Sequence, residues 1–219
     1  MSAEITWLGH ASFRIAGGGL VLYIDPWKLS DAPHDADVVF ISHPHYDHYS
    51  PEDVEKVTRS GTKVLAPTNT VTEADRVLTP GDRQDVGDLQ IQATPAYNPA
   101  KEYHPKTNNW LGAIFTIGGV RIYYAGDTEL IDEMSDLADI DVALLPVGGT
   151  YTMDVAQGVE ACKRIGCASA IPYHWGDIVG SSDDAIEFEA QSPCSVHVLQ
   201  VGQTATVSTP APCPGPKGR

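Results

Sequence analysis

The chain has 219 residues, 14 of them basic and 29 acidic, for a formal charge of −15. An apolar content of 42% beside a charged fraction of 20% excludes a disordered chain, and no apolar run approaches the roughly 18 residues of a membrane span. The acidic balance argues against a nucleic-acid partner held on a broad basic face, and leaves a small-molecule substrate, which can be anionic if a local cation or a metal receives it.

In chain order, Glu4 to Leu8, Ser12 to Ala16 and Leu20 to Ile24 read as short strands, the last two joined through Gly17-Gly18-Gly19. Asp37 to Ile41 is a continuous apolar run after its acid, the pattern of a strand buried on both faces. Ser50-Pro51-Glu52-Asp53 opens a helix that ends near Ser60-Gly61: a capping serine, proline in the first turn, acids at the positive end of the dipole. Strands follow at Lys63 to Ala66, Leu89 to Ala93, Gly112 to Ile117, Val120 to Tyr124, Val142 to Leu145 and Ala168 to Pro172. Helices fit Glu129 to Leu137, Asp154 to Ile165 and Ser182 to Gln191. The end of the chain, with four prolines between Thr209 and Arg219, cannot enter a sheet interior. One domain over residues 1–208 with a proline-rich tail over 209–219 is the expected organisation.

A weak internal repeat runs through this order. Gly18-Gly19-Leu20-Val21-Leu22-Tyr23-Ile24-Asp25 resembles Gly118-Gly119-Val120-Arg121-Ile122-Tyr123-Tyr124-Ala125-Gly126-Asp127, and Asp35-Ala36-Asp37-Val38-Val39 resembles Asp139-Ile140-Asp141-Val142-Ala143. Two similar halves predict two sheets face to face with helices outside, their strand ends meeting along one edge.

The chemistry concentrates in His43-Pro44-His45-Tyr46-Asp47-His48, which holds three of the eight histidines directly after a buried strand. Strand carboxyl ends are where open α/β sheets place ligands, and imidazole with carboxylate is a donor set for a borderline metal such as zinc. Four such side chains on a tight loop cannot all face one ion. His43 and His45 can point to one place, Asp47 and His48 to another, which suits two divalent ions. Asp127, behind the turn-forming Gly126, is a candidate bridging carboxylate, and His174, at a strand end before Gly176, a further imidazole. The cysteines Cys162, Cys167, Cys194 and Cys213 form no C-x-x-C motif and stand apart from the histidine-rich segments. With a start, Met1-Ser2-Ala3-Glu4-Ile5, that has neither basic region nor apolar stretch, they read as reduced thiols in a cytoplasmic protein.

His43-x-His45-x-Asp47-His48, then Gly126-Asp127-Thr128, then His174 resembles the metallo-β-lactamase superfamily. Thr6-Trp7-Leu8-Gly9-His10-Ala11-Ser12 and Asp25-Pro26 are similar to the branch of ascorbate-6-phosphate lactonase and the phospholipase D-type N-acylethanolamine hydrolases. The resemblance spans residues 5 to 180 and implies an α/β fold, a four-layer αββα sandwich. It implies that His43, His45, Asp47, His48, Asp127 and His174 ligate one or two divalent ions, zinc or manganese. The family usually has a further histidine after the strand near residue 95, where this chain has Asn98. Asn98 ligates weakly, His104 folds in, or the first site is a low-affinity one; the sequence leaves all three open.

Such ions would ionise a water, with Asp47 orienting it. In that branch His10 falls at the edge of the site or holds a loop by hydrogen bonds. Lys101 and Lys106 are candidates for a positive lip over an anionic substrate, and Trp110, Tyr151 and Trp175 for an apolar wall. The expected function is a metal-dependent hydrolase of a small ester, lactone or phosphodiester. A catalytically silent metal-binding module and a nuclease of the same superfamily are the alternatives.

Overall fold

The computed structural model describes residues 1–68 and 71–209. The prolines of the predicted tail, from Pro210 onward, and Cys213 lie outside the described residues. Among those described, the chain forms two seven-stranded sheets. The first takes β1 (Ser2–Gly9), β2 (Ser12–Gly17), β3 (Leu20–Ile24), β4 (Val38–Phe40), β5 (Lys63–Ala66) and β6 (Arg76–Val77). The second takes β7 (Arg83–Val86), β8 (Leu89–Pro95), β9 (Leu111–Ile117), β10 (Val120–Tyr124), β11 (Val142–Pro146), β12 (Ser169–Tyr173) and β13 (Ser195–Val196). β14 (Thr204–Ser208) then returns to pair antiparallel with β1.

Alternation along the strands sets the layers. In β3 and β4, Leu22, Ile24, Val38 and Phe40 enter the core between the sheets, while Tyr23, Val39 and Ile41 face the other way, toward α1 (Pro51–Val57). Across the interface Phe40 meets Phe115 edge-on with ring centroids 5.2 Å apart, and Phe13 meets Tyr173 at 5.6 Å. α2 (Val155–Ile165) and α3 (Ser182–Gln191) cover the second sheet through Val155, Val159, Cys162 and Phe188. The result is the expected αββα order of layers.

The repeat holds down to single hydrogen bonds. The β2–β3 hairpin feeds parallel β4 as the β9–β10 hairpin feeds parallel β11. The Asp37 carboxylate accepts the Val21 N–H at 2.8 Å, and the Asp141 carboxylate accepts the Arg121 N–H at the same distance. Reciprocal backbone bonds, Asp37 N–H to the Val21 carbonyl and Asp141 N–H to the Arg121 carbonyl, are 2.9 Å in both halves. The two hairpin turns meet each other: a Cβ on Gly17 would come within 3.3 Å of the Gly118 nitrogen, so small residues are what let the turns touch.

One predicted helix is absent. Residues 129–137 form an extended segment with a single 3₁₀ turn, Asp132–Asp136. The segment spends its hydrogen bonds on neighbouring loops: Glu129 N–H donates to the Tyr97 carbonyl, and the buried Glu129 carboxylate accepts from the Ala100 and Lys101 N–H groups. α1 is also shorter than predicted, ending at Val57. None of the described helices is long and apolar enough to cross a membrane.

Candidate metal centre

β1 and β3 both run antiparallel to β2, and β3 is parallel to β4, so these three strands end on the same edge. β8 and β10 flank antiparallel β9, and β10, β11 and β12 are parallel, which gives the second sheet a matching edge. His10, Asp25, the segment from His43 to His48, Asn98, Asp127 and His174 all follow strands that end at these edges. Distant segments therefore converge because topology points their carboxyl ends one way.

The chain must turn sharply to do so. His10, Asp25, His104 and His174 each adopt left-handed backbone, with φ between 44° and 62°. That conformation costs a non-glycine residue about 1 kcal/mol or more and gathers where function over-determines the geometry. Gly126, at φ 69°, turns β10 toward Asp127, and a Cβ there would stand 2.6 Å from the Leu111 carbonyl oxygen.

The buried Asp127 carboxylate lies at the middle. Its Oδ2 is 3.2 Å from His174 Nε2, 3.3 Å from His104 Nε2 and 3.9 Å from His43 Nε2, and its Oδ1 is 3.3 Å from His48 Nε2. His43 Nε2 and His45 Nδ1 stand 3.0 Å apart. One donor atom each from His43, His45 and His104 falls within 4.8 Å of the others, as do those of His10, Asp47, His48 and His174. The loop of residues 43–48 thus divides between two clusters, with Asp127 between them.

Partners behind the rings fix which nitrogen faces inward. Asp25, fully buried, accepts His48 Nδ1–H at 2.8 Å, the Ser42 N–H at 2.6 Å and hydroxyl at 2.5 Å, and the Tyr124 hydroxyl at 2.6 Å. The Ser42 hydroxyl, donating to Asp25, accepts from His43 Nδ1 at 3.0 Å. Both Nε2 atoms are left pointing at Asp127. His10 Nε2 lies 3.1 Å from Asp47 Oδ2, and the His10 carbonyl accepts the His174 N–H at 3.0 Å.

Charge follows position. Burial holds the His43 imidazole well below its ordinary pKa, helped by neighbouring His48, and burial pushes His104 down to about 4. Burial opposes ionisation of Asp127, but the His174 and His48 rings outweigh it and hold the carboxyl well below the usual range. Burial likewise disfavours charge on His48, yet Asp127 and Asp25 raise it well above normal.

Several of these atoms have no hydrogen-bond partner: His48 Nε2, His104 Nε2, Asp127 Oδ1 and both ring nitrogens of His174. An unpaired buried polar atom costs about 1–3 kcal/mol, so the four gathered at the Asp127 carboxylate, His48 Nε2, His104 Nε2, His174 Nε2 and Asp127 Oδ1, call for a further partner. Two donors on a tetrahedral zinc at about 2.0–2.1 Å stand roughly 3.3 Å apart, close to the spacings around Asp127. The residues fit divalent metal.

Other predicted residues go elsewhere. Asn98 stands behind His104: its side-chain nitrogen lies 3.2 Å from Nδ1, on the far side of the ring from Asp127, and donates to the Tyr151 carbonyl at 2.7 Å. Lys101 and Lys106 do not form a positive lip. Lys101 Nζ is taken up by the carbonyls of Gly149, at 2.6 Å, and Thr152, while Lys106 pairs with Glu133 at 2.8 Å. Trp110 packs against the rings of His43 and His45, with centroids 4.8 Å away, but Trp175 is buried against Trp7 and belongs to the core. The sequence reading missed the role of Asp25, whose only signal was its place before Pro26, and that of Tyr46 and Tyr103. These two line, with His45, Asp47, His104, Asp127, Tyr151 and Ile178, a cavity of about 240 Å³ over the centre.

A family profile described as "Beta-lactamase superfamily domain" matches residues 4–174. A UPF0173 metal-dependent hydrolase of Staphylothermus marinus is 33% identical over 93% of this chain and 99% of its own length, and one of Nitratidesulfovibrio vulgaris is 32% identical over 94% and 96%. The structure of Igni18, a metallo hydrolase from Ignicoccus hospitalis, superposes with a TM-score of 0.80 at 26% identity, covering 96% of this chain and 100% of that one. The profile covers the converging segments from His10 to His174, and the relatives align over nearly their whole lengths; the chain belongs to the metallo-β-lactamase superfamily, within the UPF0173 metal-dependent hydrolases.

Proposed function

We propose that this protein hydrolyses a small, uncharged carboxylic ester or lactone at the edge shared by its two sheets. His43, His45, His104 and Asp127 would hold one divalent ion, zinc or manganese, and Asp47, His48, His174 and Asp127 a second. Bound there, such ions supply Lewis acidity that ionises water and polarises a carbonyl. The observation that carries this reading is the Asp127 carboxylate, buried among four imidazole nitrogens with one oxygen unpaired.

The chain's own groups do the rest. Asp47 reaches the cavity with its carboxylate steadied by His10, which suits it to accept a hydrogen bond from the attacking water and hold its lone pair toward the substrate carbonyl. Tyr46, Tyr103, Tyr151 and Ile178 line the outer cavity, and Tyr103 and Tyr151 meet edge-on with centroids 4.8 Å apart. Such a wall receives an apolar or aromatic group and excludes water from it. No lysine or arginine lines this cavity among the described residues. Nearby Lys28 is paired with Asp177 at 2.8 Å, and Lys101 and Lys106 are engaged as described. A second anionic group on the substrate would meet no counter-charge. This favours the lactone and ester chemistry of the branch that the sequence resembles over its phosphorylated substrates, and disfavours a nuclease.

The test is a panel of neutral aryl esters, lactones and phosphodiesters offered to zinc- or manganese-loaded protein, with Asp127→Ala as control. Hydrolysis of the neutral carboxylic esters or lactones, lost in the variant, is expected. Activity unchanged in Asp127→Ala, or full metal occupancy with no turnover of any substrate, would overturn the reading.

A further inference from the structure

Outside the histidine centre, three thiols meet on the far flank of the second sheet. Cys162 lies in the last turn of α2, Cys167 directly follows the helix-ending Gly166, and Cys194 immediately precedes β13. Gly166, at φ 65°, reverses the chain, which brings residues five apart in sequence to face one point. The three Sγ atoms lie within 4.8 Å of one another, and those of Cys167 and Cys194 are 3.9 Å apart. Cys162 and Cys167 are buried and Cys194 is partly open.

Two thiolates bound at about 2.3 Å to one tetrahedral zinc stand roughly 3.8 Å apart. The cluster is therefore already near the spacing an ion would impose. Its donors are sulfur alone, with no imidazole or carboxylate in the group. Sulfur-only sets select soft ions over hard ones. The carbonyls at the end of α2 add negative potential, which opposes bare thiolates and favours a cation among them. A disulfide would join two of the sulfurs and leave no account of the third.

We propose that Cys162, Cys167 and Cys194 form a second metal site, an all-thiolate site for one soft divalent d10 ion, separate from the histidine centre. Binding replaces three S–H bonds by three metal–sulfur bonds and releases three protons to solvent, leaving a site of net charge −1. The ion would tie the end of α2 to the start of the edge strand β13, a place where the sheet otherwise ends in a two-residue strand.

The probe is cadmium added to the reduced full-length protein, because cadmium thiolates absorb in the ultraviolet where imidazole and carboxylate complexes do not. One equivalent is expected to develop the thiolate charge-transfer band in the parent, in Asp127→Ala and in Cys213→Ser. The band is expected to be lost in Cys162→Ser and Cys194→Ser. Because Cys162 is buried and its variant can fail to fold, the partly open Cys194 provides the second variant, with circular dichroism reporting its fold. Thiol-reagent labelling of Cys194 in the folded parent should slow when cadmium is present. A reduced parent that develops no band, a band that survives Cys194→Ser, or one that disappears with Cys213→Ser would each overturn the proposal.

Discussion

Asp25 holds His48 through Nδ1 at 2.8 Å, with neither side chain exposed to solvent. The carboxylate accepts three further hydrogen bonds, from the Ser42 backbone and hydroxyl and from the Tyr124 hydroxyl, and so joins a strand end of the first sheet to β10 of the second. Asp25→Ala removes the shared acceptor of these buried donors, leaving only longer contacts such as Tyr124 hydroxyl to the Ala11 carbonyl at 3.5 Å. Loss of a buried charged partner costs about 3–5 kcal/mol, and loss of the group that orients a metal-ligating histidine lowers affinity by about 10–100-fold. Thermal unfolding and metal stoichiometry should both fall in Asp25→Ala, while Asp25→Asn, which keeps an acceptor, should recover more of the stability than of the metal affinity.

Asn98 makes a separable prediction. Its side-chain nitrogen contacts His104 Nδ1 and the Tyr151 carbonyl, which ties it to the cluster of His43, His45 and His104. Asn98→Ala should weaken one ion, by about 10–100-fold, and leave the other bound. Competition with a graded chelator would show two phases in the variant; a uniform loss of both ions would contradict the assignment of His104.

Gly148 sits where β11 ends beside β12, and a Cβ there would overlap the His174 carbonyl oxygen. Backbone at both strand ends would have to shift to admit it. Gly148→Ala is expected to lower kcat/KM at least tenfold, through displacement of His174, and to reduce metal content in the same preparation. Restoration by excess metal would argue for a displaced ligand, and no effect at all would place the packing elsewhere.

A stability test away from the centre comes from Asp35. Its carboxylate accepts from Arg14 at 2.6 Å and from the Tyr23 hydroxyl at 2.8 Å. Burial opposes its ionisation, but these hydrogen bonds win and hold its pKa below the ordinary value. A carboxyl depressed in the folded state stabilises above its unfolded pKa of about 3.9 and loses that contribution as pH falls through the folded value. The Arg14 and Asp35 side chains are each about a third exposed, so solvent screening limits the effect to about 0.5–1 kcal/mol. Urea unfolding of Asp35→Asn should show that deficit at pH 7 and converge with the parent as pH falls through the depressed folded value.

The cavity wall can be read through kinetics. Tyr103→Ala and Tyr151→Ala should raise KM for aryl esters by about tenfold, the scale of one aromatic contact in a desolvated pocket, and change kcat little. Equal loss on acetate esters with no aromatic group would mean that the tyrosines position the loop and do not contact substrate.

Much of this was legible in the amino-acid order because the signals are local. Gly-Gly hairpins, an apolar β4 and the His43–His48 loop each fit within a few residues, and the likeness of the two halves carried the layer order. What was not legible depends on distance. Asp25 looks like any acid before a proline until Tyr124, ninety-nine residues later, donates to it. Lys101 and Lys106 looked free because nothing local reveals that Gly149, Thr152 and Glu133 take them up. Residues 129–137 had helical composition, but the inward Glu129 side chain and the Tyr97 carbonyl claimed that backbone first. That His104 turns its Nε2 toward Asp127 goes with the left-handed backbone at His104, which no propensity scale anticipates.

The hydrogen bond from His174 to the His10 carbonyl joins residues near opposite ends of the pattern. A chain emerging from the ribosome can complete its first sheet's hairpins early, yet the last imidazole arrives only when β12 has been made. Of the two proposed ion sites, the one that uses His174 is consequently completed late in biogenesis, after every ligand proposed for the other has been made.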